Sequence, residues 1–258
     1  MVDAVVKYIR DSRSCVVLTG AGISAESGVP TFRGQEGLWG KFRPEELATM
    51  SAFLANSKMV WEWYNWRRQV IAQVKPNPGH YALAELPRWF ERFTLITQNV
   101  DGLHRAAGSV DVLELHGSLY RDKCADCNRP FAGGKDIDPD NIPVCPHCAG
   151  KIRPDVVWFG EMLDARIIDR AFAESERAEL FFSIGTSAIV HPAASLPVAA
   201  NRSGATLIEI NPEATPLTAL ADLYVPAQSG AFLPEVVESL RRVGSQSAKR
   251  GNDVGKSR

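Results

Sequence analysis

Six short apolar runs, separated by segments long enough to form helices, constrain the fold of this chain more than any other feature. They are CVVLT (15–19), FTLIT (93–97), VLEL (112–115), LFFSI (180–184), TLIEI (206–210) and LYV (223–225). Strands that are apolar on both faces and alternate with helices are typical of a parallel sheet covered on both sides. We therefore predict an α/β fold with helices at 2–12, 44–55, 58–74, 79–90, 164–176, 192–202 and 232–243.

The segments that follow the predicted strands are rich in glycine, hydroxyl, amide or acidic residues. They read GAGISAESG, QNVDG, HGS, GTSAIVHP and NPE. In open α/β sheets, ligands bind beyond the carboxyl ends of the strands. We therefore expect these five segments to face one crevice.

The first of these segments contains the pattern G-x-G-x-x-A between a strand and the start of a helix. Glycines allow close approach of a diphosphate, and a helix N-terminus supplies N–H donors, so the pattern favours a dinucleotide. The usual acidic ribose ligand is not evident, because the chain enters VPTFRGQEGLWGKFRP instead. We interpret this aromatic and basic segment as a lid over a ligand, with Arg33 meeting an anionic group; a packed Ω-loop is the alternative.

Four of the five cysteines form two Cys-x-x-Cys pairs, Cys124 with Cys127 and Cys145 with Cys148, which enclose seventeen residues. This spacing is typical of a four-thiolate zinc ribbon, and in a reducing compartment it indicates a metal rather than disulfides. Four protein ligands leave no position for an activated water, so we predict a structural Zn²⁺. A redox-active dithiol is the alternative, and His147 could replace one cysteine.

His116 ends the strand VLEL and precedes a glycine, which places its imidazole at the predicted crevice. A lone histidine is more often structural than catalytic. The position at a strand's carboxyl end nevertheless makes His116 the candidate general base.

The net charge of -1 argues against a protein that holds nucleic acid along a broad basic face. No apolar run approaches the roughly 18 residues of a membrane span, and the N-terminus does not read as a secretory signal. We expect a soluble, cytoplasmic protein with no membrane partner and no direct nucleic-acid partner.

The stretch VWEWYNWRRQ (60–69) carries three tryptophans and two arginines. Its first interpretation is an amphipathic helix with a basic edge, and the near-neutral charge disfavours an RNA-stacking surface. Tyr64 and Arg67 lie one helical turn apart.

The chain resembles the sirtuins, NAD-dependent protein-lysine deacylases, over about residues 1 to 243. The motifs that carry the resemblance follow in order: GAGISAESGVPTFRG, TQNVDGLHRAAG, ELHGS, the paired Cys-x-x-Cys, RPDVVWFGE, GTSAIV and INPE. The resemblance implies a Rossmann-like NAD-binding domain and a smaller domain with a zinc ribbon and a helical insertion. We assign the large domain to 1–40, 92–118 and 160–243, the insertion to 41–91 and the ribbon to 119–159. The polar tail, 244–258, we expect to be disordered.

The resemblance also implies the residues of the site. The predicted contacts with NAD are Gly20, Ala21, Gly22, Ile23, Glu26, Thr31, Phe32, Arg33, Trp39, Gln98, Asn99, Val100, Asp101, Gly185, Thr186, Ser187, Asn211, Pro212, Glu213 and Ala231. His116 is the implied general base, with Asn99 as a second catalytic residue. The segment with Val157, Trp158, Phe159 and Gly160 would pair as a strand with the substrate backbone.

The activity implied is transfer of an acyl group from a protein lysine to ADP-ribose, with release of nicotinamide and 2′-O-acyl-ADP-ribose. Tyr64 and Arg67 resemble the Tyr-x-x-Arg signature of class III sirtuins, which remove succinyl and malonyl groups. We therefore expect that preference, with some deacetylase activity. We also expect the protein to be a monomer. The alternatives are a predominant deacetylase, a mono-ADP-ribosyltransferase and a non-catalytic, NAD-responsive binding module.

Overall fold

The computed structural model describes residues 1–31, 43–132 and 137–254. Its strands, in chain order, are β1 (Ser14–Thr19), β2 (Arg92–Thr97), β3 (Val112–Glu114), β4 (Gly117–Cys124), β5 (Pro130–Phe131), β6 (Ile152–Val156), β7 (Leu180–Ile184), β8 (Thr206–Ile210) and β9 (Leu223–Val225). Six of them form a parallel sheet in the order β3-β2-β1-β7-β8-β9. All six apolar runs predicted to be strands lie in this sheet.

Helices cover both faces of the parallel sheet. The helices are α1 (Val2–Asp11), α2 (Ala21–Ala25), α3 (Pro44–Leu47), α4 (Met50–Ala55), α5 (Ser57–Ala72), α6 (Pro78–Glu85), α7 (Leu103–Ala106), α8 (Ala165–Glu176), α9 (Leu196–Arg202) and α10 (Ser229–Val254), with short 3₁₀ turns at Leu86–Trp89, Ala193–Ser195 and Thr218–Leu220. Within this described part, no helix has the length and apolar character needed to cross a bilayer.

Successive residues of the central strands point to opposite cores, which explains why these strands are apolar throughout. Val17 and Phe182 belong to the core that α1, α6 and α10 cover. Leu18 and Phe181 belong to the core on the other face, which α8 and α9 cover. This arrangement confirms the predicted doubly covered parallel sheet.

The order of the strands reverses between β1 and β7. The chain runs outward from β1 to β2 and β3 on one side, and from β7 to β8 and β9 on the other. The connections therefore diverge at the carboxyl ends of β1 and β7, which leaves a crevice at that point of the sheet.

A second, smaller unit contains β4, β5 and β6 as an antiparallel sheet in the order β5-β4-β6. Its core joins residues of the helical segment, such as Phe53 and Trp61, to residues of the ribbon, such as Leu119 and Ile152. The helical insertion and the ribbon thus share one hydrophobic core.

Two of the predicted boundaries are wrong. We assigned 41–91 to the insertion, but α6 packs on the large sheet, because its residues Ala82 and Leu83 belong to the core with α1 and α10. We expected 244–258 to be disordered, but α10 continues to Val254. Each further helical residue adds a backbone hydrogen bond, so a polar sequence without proline can prolong a helix.

Candidate active site and zinc site

A cavity of about 830 Å³ lies beyond the carboxyl ends of the parallel strands. Its lining includes the residues that directly follow β1, β2, β7 and β8, namely Gly20, Gln98, Gly185 and Asn211. The predicted strand-end segments therefore do meet at one crevice, at the point where the strand order reverses.

Glycines bring the turn after β1 into contact with the turn after β7. The backbone N–H of Gly22 donates to the carbonyl oxygen of Gly185 at 2.8 Å. A Cβ on Gly22 would lie 2.7 Å from the Cα of Gly185, and Gly185 itself has a φ of +60°. Side chains at either position would push the turns apart, so the glycines are needed for this close approach.

His116 lines the cavity and is oriented by the backbone of the strand-end segment after β2. Its Nδ1 lies 2.9 Å from the carbonyl oxygen of Gln98. Because a carbonyl oxygen can only accept, Nδ1 carries the proton and Nε2 keeps a lone pair in the neutral ring. Burial lowers the pKa of His116, and the hydrogen bond to Gln98 offsets part of that shift. The imidazole is therefore a neutral base near pH 7.

Asn99 and Gln98 tie the second strand end to its neighbours. The amide nitrogen of Asn99 donates to the carbonyl oxygen of Gly20 at 3.0 Å, and that of Gln98 donates to Thr186 Oγ1 at 3.0 Å. Asn99 also lies 3.2 Å from Ser24 Oγ, through the same amide nitrogen. Both side chains line the cavity, so the hydrogen bonds hold them at fixed positions along its wall.

Glu26 connects the wall of the cavity to the start of α10. Its carboxylate accepts from the backbone N–H of Gly230 at 2.8 Å and from Ser229 Oγ at 3.3 Å. A carboxylate at a helix N-terminus is favoured by the exposed N–H groups and the helix dipole.

Tyr64 and Arg67 line the same cavity from helix α5. They are 1% and 6% exposed. The guanidinium carbon of Arg67 lies 4.8 Å from the ring centroid of Trp63 and 5.7 Å from that of Tyr64. Burial raises the pKa of Tyr64 and lowers the pKa of Arg67, but a guanidinium remains charged in proteins. A neutral phenol and a cation therefore lie together in a mostly apolar wall.

The segment after β6 borders the cavity with its backbone partly in use. The N–H of Val157 donates to the carbonyl of His116, that of Phe159 to the carbonyl of Ala48, and that of Trp158 to Glu161 Oε2. The N–H groups of these three residues therefore already have partners within the protein.

The four cysteines of the ribbon converge as predicted. The sulfur atoms of Cys124, Cys127, Cys145 and Cys148 all lie within 4.8 Å of one another. Two of the separations are 3.4 Å and 3.7 Å, close to the roughly 3.8 Å between thiolates on a tetrahedral zinc with bonds of about 2.3 Å. Backbone N–H groups of Asp126 and Cys127 point at Cys124 Sγ. This donor set fits a structural Zn²⁺.

Most of the predicted site residues line the cavity. Besides Tyr64 and Arg67, the predicted residues in its lining are Gly20, Ala21, Gly22, Glu26, Thr31, Gln98, Asn99, Val100, His116, Val157, Trp158, Phe159, Gly160, Gly185, Thr186, Ser187, Asn211, Pro212 and Glu213. Phe32, Arg33 and Trp39 lie outside the described residues.

Three predicted cofactor residues do not line the cavity. The Ile23 side chain is fully buried in the core of the sheet. Asp101 is 5% exposed and accepts from Ser24 Oγ at 2.8 Å behind the wall. Ala231 is exposed on α10 outside the lining.

Sequence reasoning missed part of the wall, including Ala48, Glu161, Gln228 and Ser229. Gln228 and Ser229 follow the short strand β9, so the rule that ligands gather at strand ends could have found them. Ala48 carries no chemical signal and is brought there only by the folding of the insertion.

Known proteins are similar in sequence to nearly the whole chain. The model of the Sir2 family matches residues 20–192. A protein of Aquifex aeolicus named NAD-dependent protein deacylase is 49% identical over 231 residues, which cover 90% of this chain and 97% of that protein. One of Pyrococcus abyssi with the same name is 47% identical over 248 residues, covering 94% of this chain and 99% of that protein.

Solved structures of Sir2 proteins are also similar to this chain in fold and sequence. A Sir2 homologue in complex with NAD has a TM-score of 0.87 and 47% identity, and the match covers 93% of this chain and 94% of that chain. A homologue bound to a myristoylated histone peptide has a TM-score of 0.75 and 34% identity, with 95% and 98% covered.

Proposed function

The chain belongs to the Sir2 family of NAD-dependent protein deacylases, and we propose that it removes preferentially succinyl and malonyl groups from lysine side chains of proteins. Acetyl groups are the less favoured substrates in this proposal. The observation that carries it is the presence of Tyr64 and Arg67, both buried, in the wall of the cavity that also holds His116.

The argument for a dicarboxylic acyl group is electrostatic. An unpaired carboxylate is costly to bury in an apolar tunnel, whereas a guanidinium and a phenol hydroxyl can satisfy it with charge-assisted hydrogen bonds. Arg67 supplies the positive charge and a planar set of N–H donors. Tyr64 has its pKa raised by burial and so keeps the proton that it would donate.

A neutral acyl group such as acetyl has no group that would use this pair. Its binding leaves the Arg67 charge in the wall without a new partner from the substrate. The preference therefore comes from a difference between substrates in the same cavity rather than from tighter binding of lysine itself.

His116 is the residue that we assign to proton transfer. NAD, when bound, supplies the ribose that accepts the acyl group as its bond to nicotinamide breaks. Since Nδ1 donates to the Gln98 carbonyl, Nε2 is the atom that can take a proton from a ribose hydroxyl. The lowered pKa keeps this atom unprotonated near neutral pH.

The remaining groups of the wall would hold the two substrates. The strand-end glycines Gly20 and Gly22 allow close approach of a diphosphate at the start of α2. The carbonyl oxygens of Val157 and Phe159 would pair with the substrate backbone, which favours loose selectivity for the peptide sequence.

The test compares acetyl-, malonyl- and succinyl-lysine peptides with NAD⁺ for the wild type and for Arg67→Met. We expect the variant to lose roughly ten- to a hundredfold in kcat/KM for the succinyl and malonyl peptides, because one charge-assisted contact is removed. The loss for the acetyl peptide should be far smaller.

The matched control is Arg68→Met, which removes the neighbouring guanidinium from the same helix. Arg68 pairs with Asp122 at 2.6 Å, so its loss should lower stability without changing the ratio of succinyl to acetyl activity. Equal losses of Arg67→Met on all three peptides would return Arg67 to a packing role. Product analysis also separates deacylation from mono-ADP-ribosyl transfer, which would leave modified protein instead of 2′-O-acyl-ADP-ribose.

A further inference from the structure

We infer that Trp158 is a positioning residue for acyl selectivity, because its indole N–H holds the Tyr64 hydroxyl in the orientation that donates to an acyl carboxylate. The inference rests on the proposed function and deepens it, since it explains how the phenol of the selectivity pair is oriented.

The central contact joins two buried side chains in the wall of the cavity. Trp158 Nε1 lies 2.8 Å from Tyr64 Oη, and the two residues are 2% and 1% exposed. An indole N–H can only donate, so Tyr64 Oη must accept in this bond. The phenol therefore keeps its own proton for a different acceptor.

A carboxylate is an acceptor only, which makes it the matching partner for that proton. Tyr64 and Arg67 line the cavity together, so a carboxylate in contact with the guanidinium is within the same part of the wall. If the Tyr64 O–H bond were free to rotate about the C–O bond, it could instead donate to any nearby acceptor. The indole N–H restricts this rotation, because it holds a lone pair of the oxygen and the O–H bond must point away from it.

The indole is itself held on several sides. The guanidinium carbon of Arg153 lies 3.3 Å from the centroid of the Trp158 ring, and Arg153 is 1% exposed. Phe53 packs against the same ring at a centroid distance of 5.4 Å.

Glu161 completes this clamp. Its Oε2 accepts from the backbone N–H of Trp158 at 2.8 Å and from Arg153 Nη2 at 3.0 Å. Arg153 Nη2 also donates to the carbonyl of Val156 at 2.7 Å. The indole cannot turn without losing its stacking on the buried Arg153 guanidinium, which Glu161 and the Val156 carbonyl hold in place, so the position of its N–H is preorganised.

The experiment is a double-mutant cycle of Trp158→Phe and Tyr64→Phe, with succinyl- and acetyl-lysine peptides at saturating NAD⁺. Phenylalanine keeps an aromatic ring at position 158 and removes the N–H. We expect Trp158→Phe to lower kcat/KM for the succinyl peptide roughly five- to twentyfold, mainly through KM, because one hydrogen bond to the ligand is weakened. The acetyl peptide should lose less than the succinyl peptide, since its acyl group makes no such bond, so the ratio of succinyl to acetyl kcat/KM should fall.

In the Tyr64→Phe background, Trp158→Phe should cause no further change in the ratio of the two activities, because there is no hydroxyl left to orient. The matched control is Trp61→Phe on the same helix as Tyr64. Trp61 Nε1 donates to the carbonyl of Ile152 at 3.0 Å, so this variant also deletes one buried indole hydrogen bond. It should lower the melting temperature and leave the ratio unchanged.

Two results would overturn the inference while the proposed function stands. One is an equal loss on both peptides in Trp158→Phe, and the other is a loss of the ratio that is as large in the Tyr64→Phe background as in the wild type. A wild type without preference for the succinyl peptide would overturn both proposals. A preference that Arg67→Met abolishes and Trp158→Phe preserves would remove only the role of Trp158.

Discussion

The two faces of helix α5 place adjacent arginines in opposite settings. Arg68 faces the ribbon, where its Nε donates to the carbonyl of Leu119 at 2.7 Å and its Nη2 to Asp122 at 2.6 Å. Arg67 faces the cavity beside Tyr64. One position along a helix is a rotation of about 100°. Two adjacent arginines can therefore have different roles: Arg68 stabilises the packing of the helix on the ribbon, and Arg67 lines the cavity.

The ribbon face also explains how the cavity face is held in place. Trp61 Nε1 donates to the carbonyl of Ile152, Lys151 Nζ to Ser57 Oγ, and Asn65 Nδ2 to the carbonyl of Ile137. These contacts attach the helix to the ribbon along much of its length. A specificity pair on a rigid, well-attached helix can be positioned more accurately than one on a loop.

Removal of zinc should have the largest effect. The ribbon supports one face of α5, so unfolding the ribbon should also disturb the face that lines the cavity. We expect Cys127→Ala to lower the free energy of unfolding by at least about 4 kcal/mol, since loss of a structural metal is among the most destabilising changes. Cys127 is exposed, so the substitution itself removes little packing. Zinc content and denaturant unfolding measure the effect. A variant that has lost all its zinc but keeps wild-type stability would show that the zinc does not stabilise the fold.

Breaking the ribbon-side ion pair should have the next largest effect. Arg68→Met leaves the Asp122 carboxylate buried without its cation, at 5% side-chain exposure. We expect a loss of about 3–5 kcal/mol in the free energy of unfolding. The double variant Arg68→Met/Asp122→Leu, which removes both charges, should recover part of this loss. A changed ratio of succinyl to acetyl activity in a folded Arg68→Met variant would show that the two faces are not separate.

The smallest expected effect is that of pH on acyl selectivity. Burial lowers the pKa of His116, so its neutral, active form persists below the ordinary value of about 6.5, and the rate should fall only as the pH drops below that value. The same acid limb should appear with succinyl and acetyl peptides, because both use His116. Arg67 stays charged and Tyr64 stays protonated, since burial raises the pKa of Tyr64.

The ratio of the two activities should therefore be constant from about pH 7 to pH 9, as neither member of the selectivity pair titrates there. Profiles of kcat/KM against pH for both peptides provide the measurement. A ratio that changes within this interval would mean that the cavity face contains a titrating group that selects between acyl chains.

Much of the fold could be predicted because it depends on local patterns. The six strands follow from short apolar runs, and the cysteine cluster follows from the spacing of two pairs. The boundary of the insertion could not be predicted, because α6 looks like any other amphipathic helix until its partner is known. Leu83 and Leu86 would suit the core of either domain, and only their packing against α1 and α10 assigns them to the large one.

Part of the candidate site could likewise be predicted from the sequence, and part of it depends on the tertiary structure. Residues at strand ends could be found from the sequence, since every parallel strand delivers its next residue to the same edge of the sheet. Asp101 and Ile23 belong to the right segments but lie behind the wall, because burial depends on the neighbours of each side chain and not on the motif. Ala48 reaches the cavity through a contact between distant segments, since its carbonyl accepts from the N–H of Phe159.

The sequence by itself determined the parallel sheet, the zinc ligands and the Sir2 family, because each depends on residue types in a fixed order along the chain. It also placed Tyr64 and Arg67 one helical turn apart. Only the tertiary structure decided that Arg67 faces the cavity while Arg68 pairs with Asp122, and that Trp158 donates to Tyr64. The physical reason is that the direction of a helix face is set by what the helix packs against, and here two of those partners, Asp122 and Trp158, lie 54 and 94 residues away along the chain.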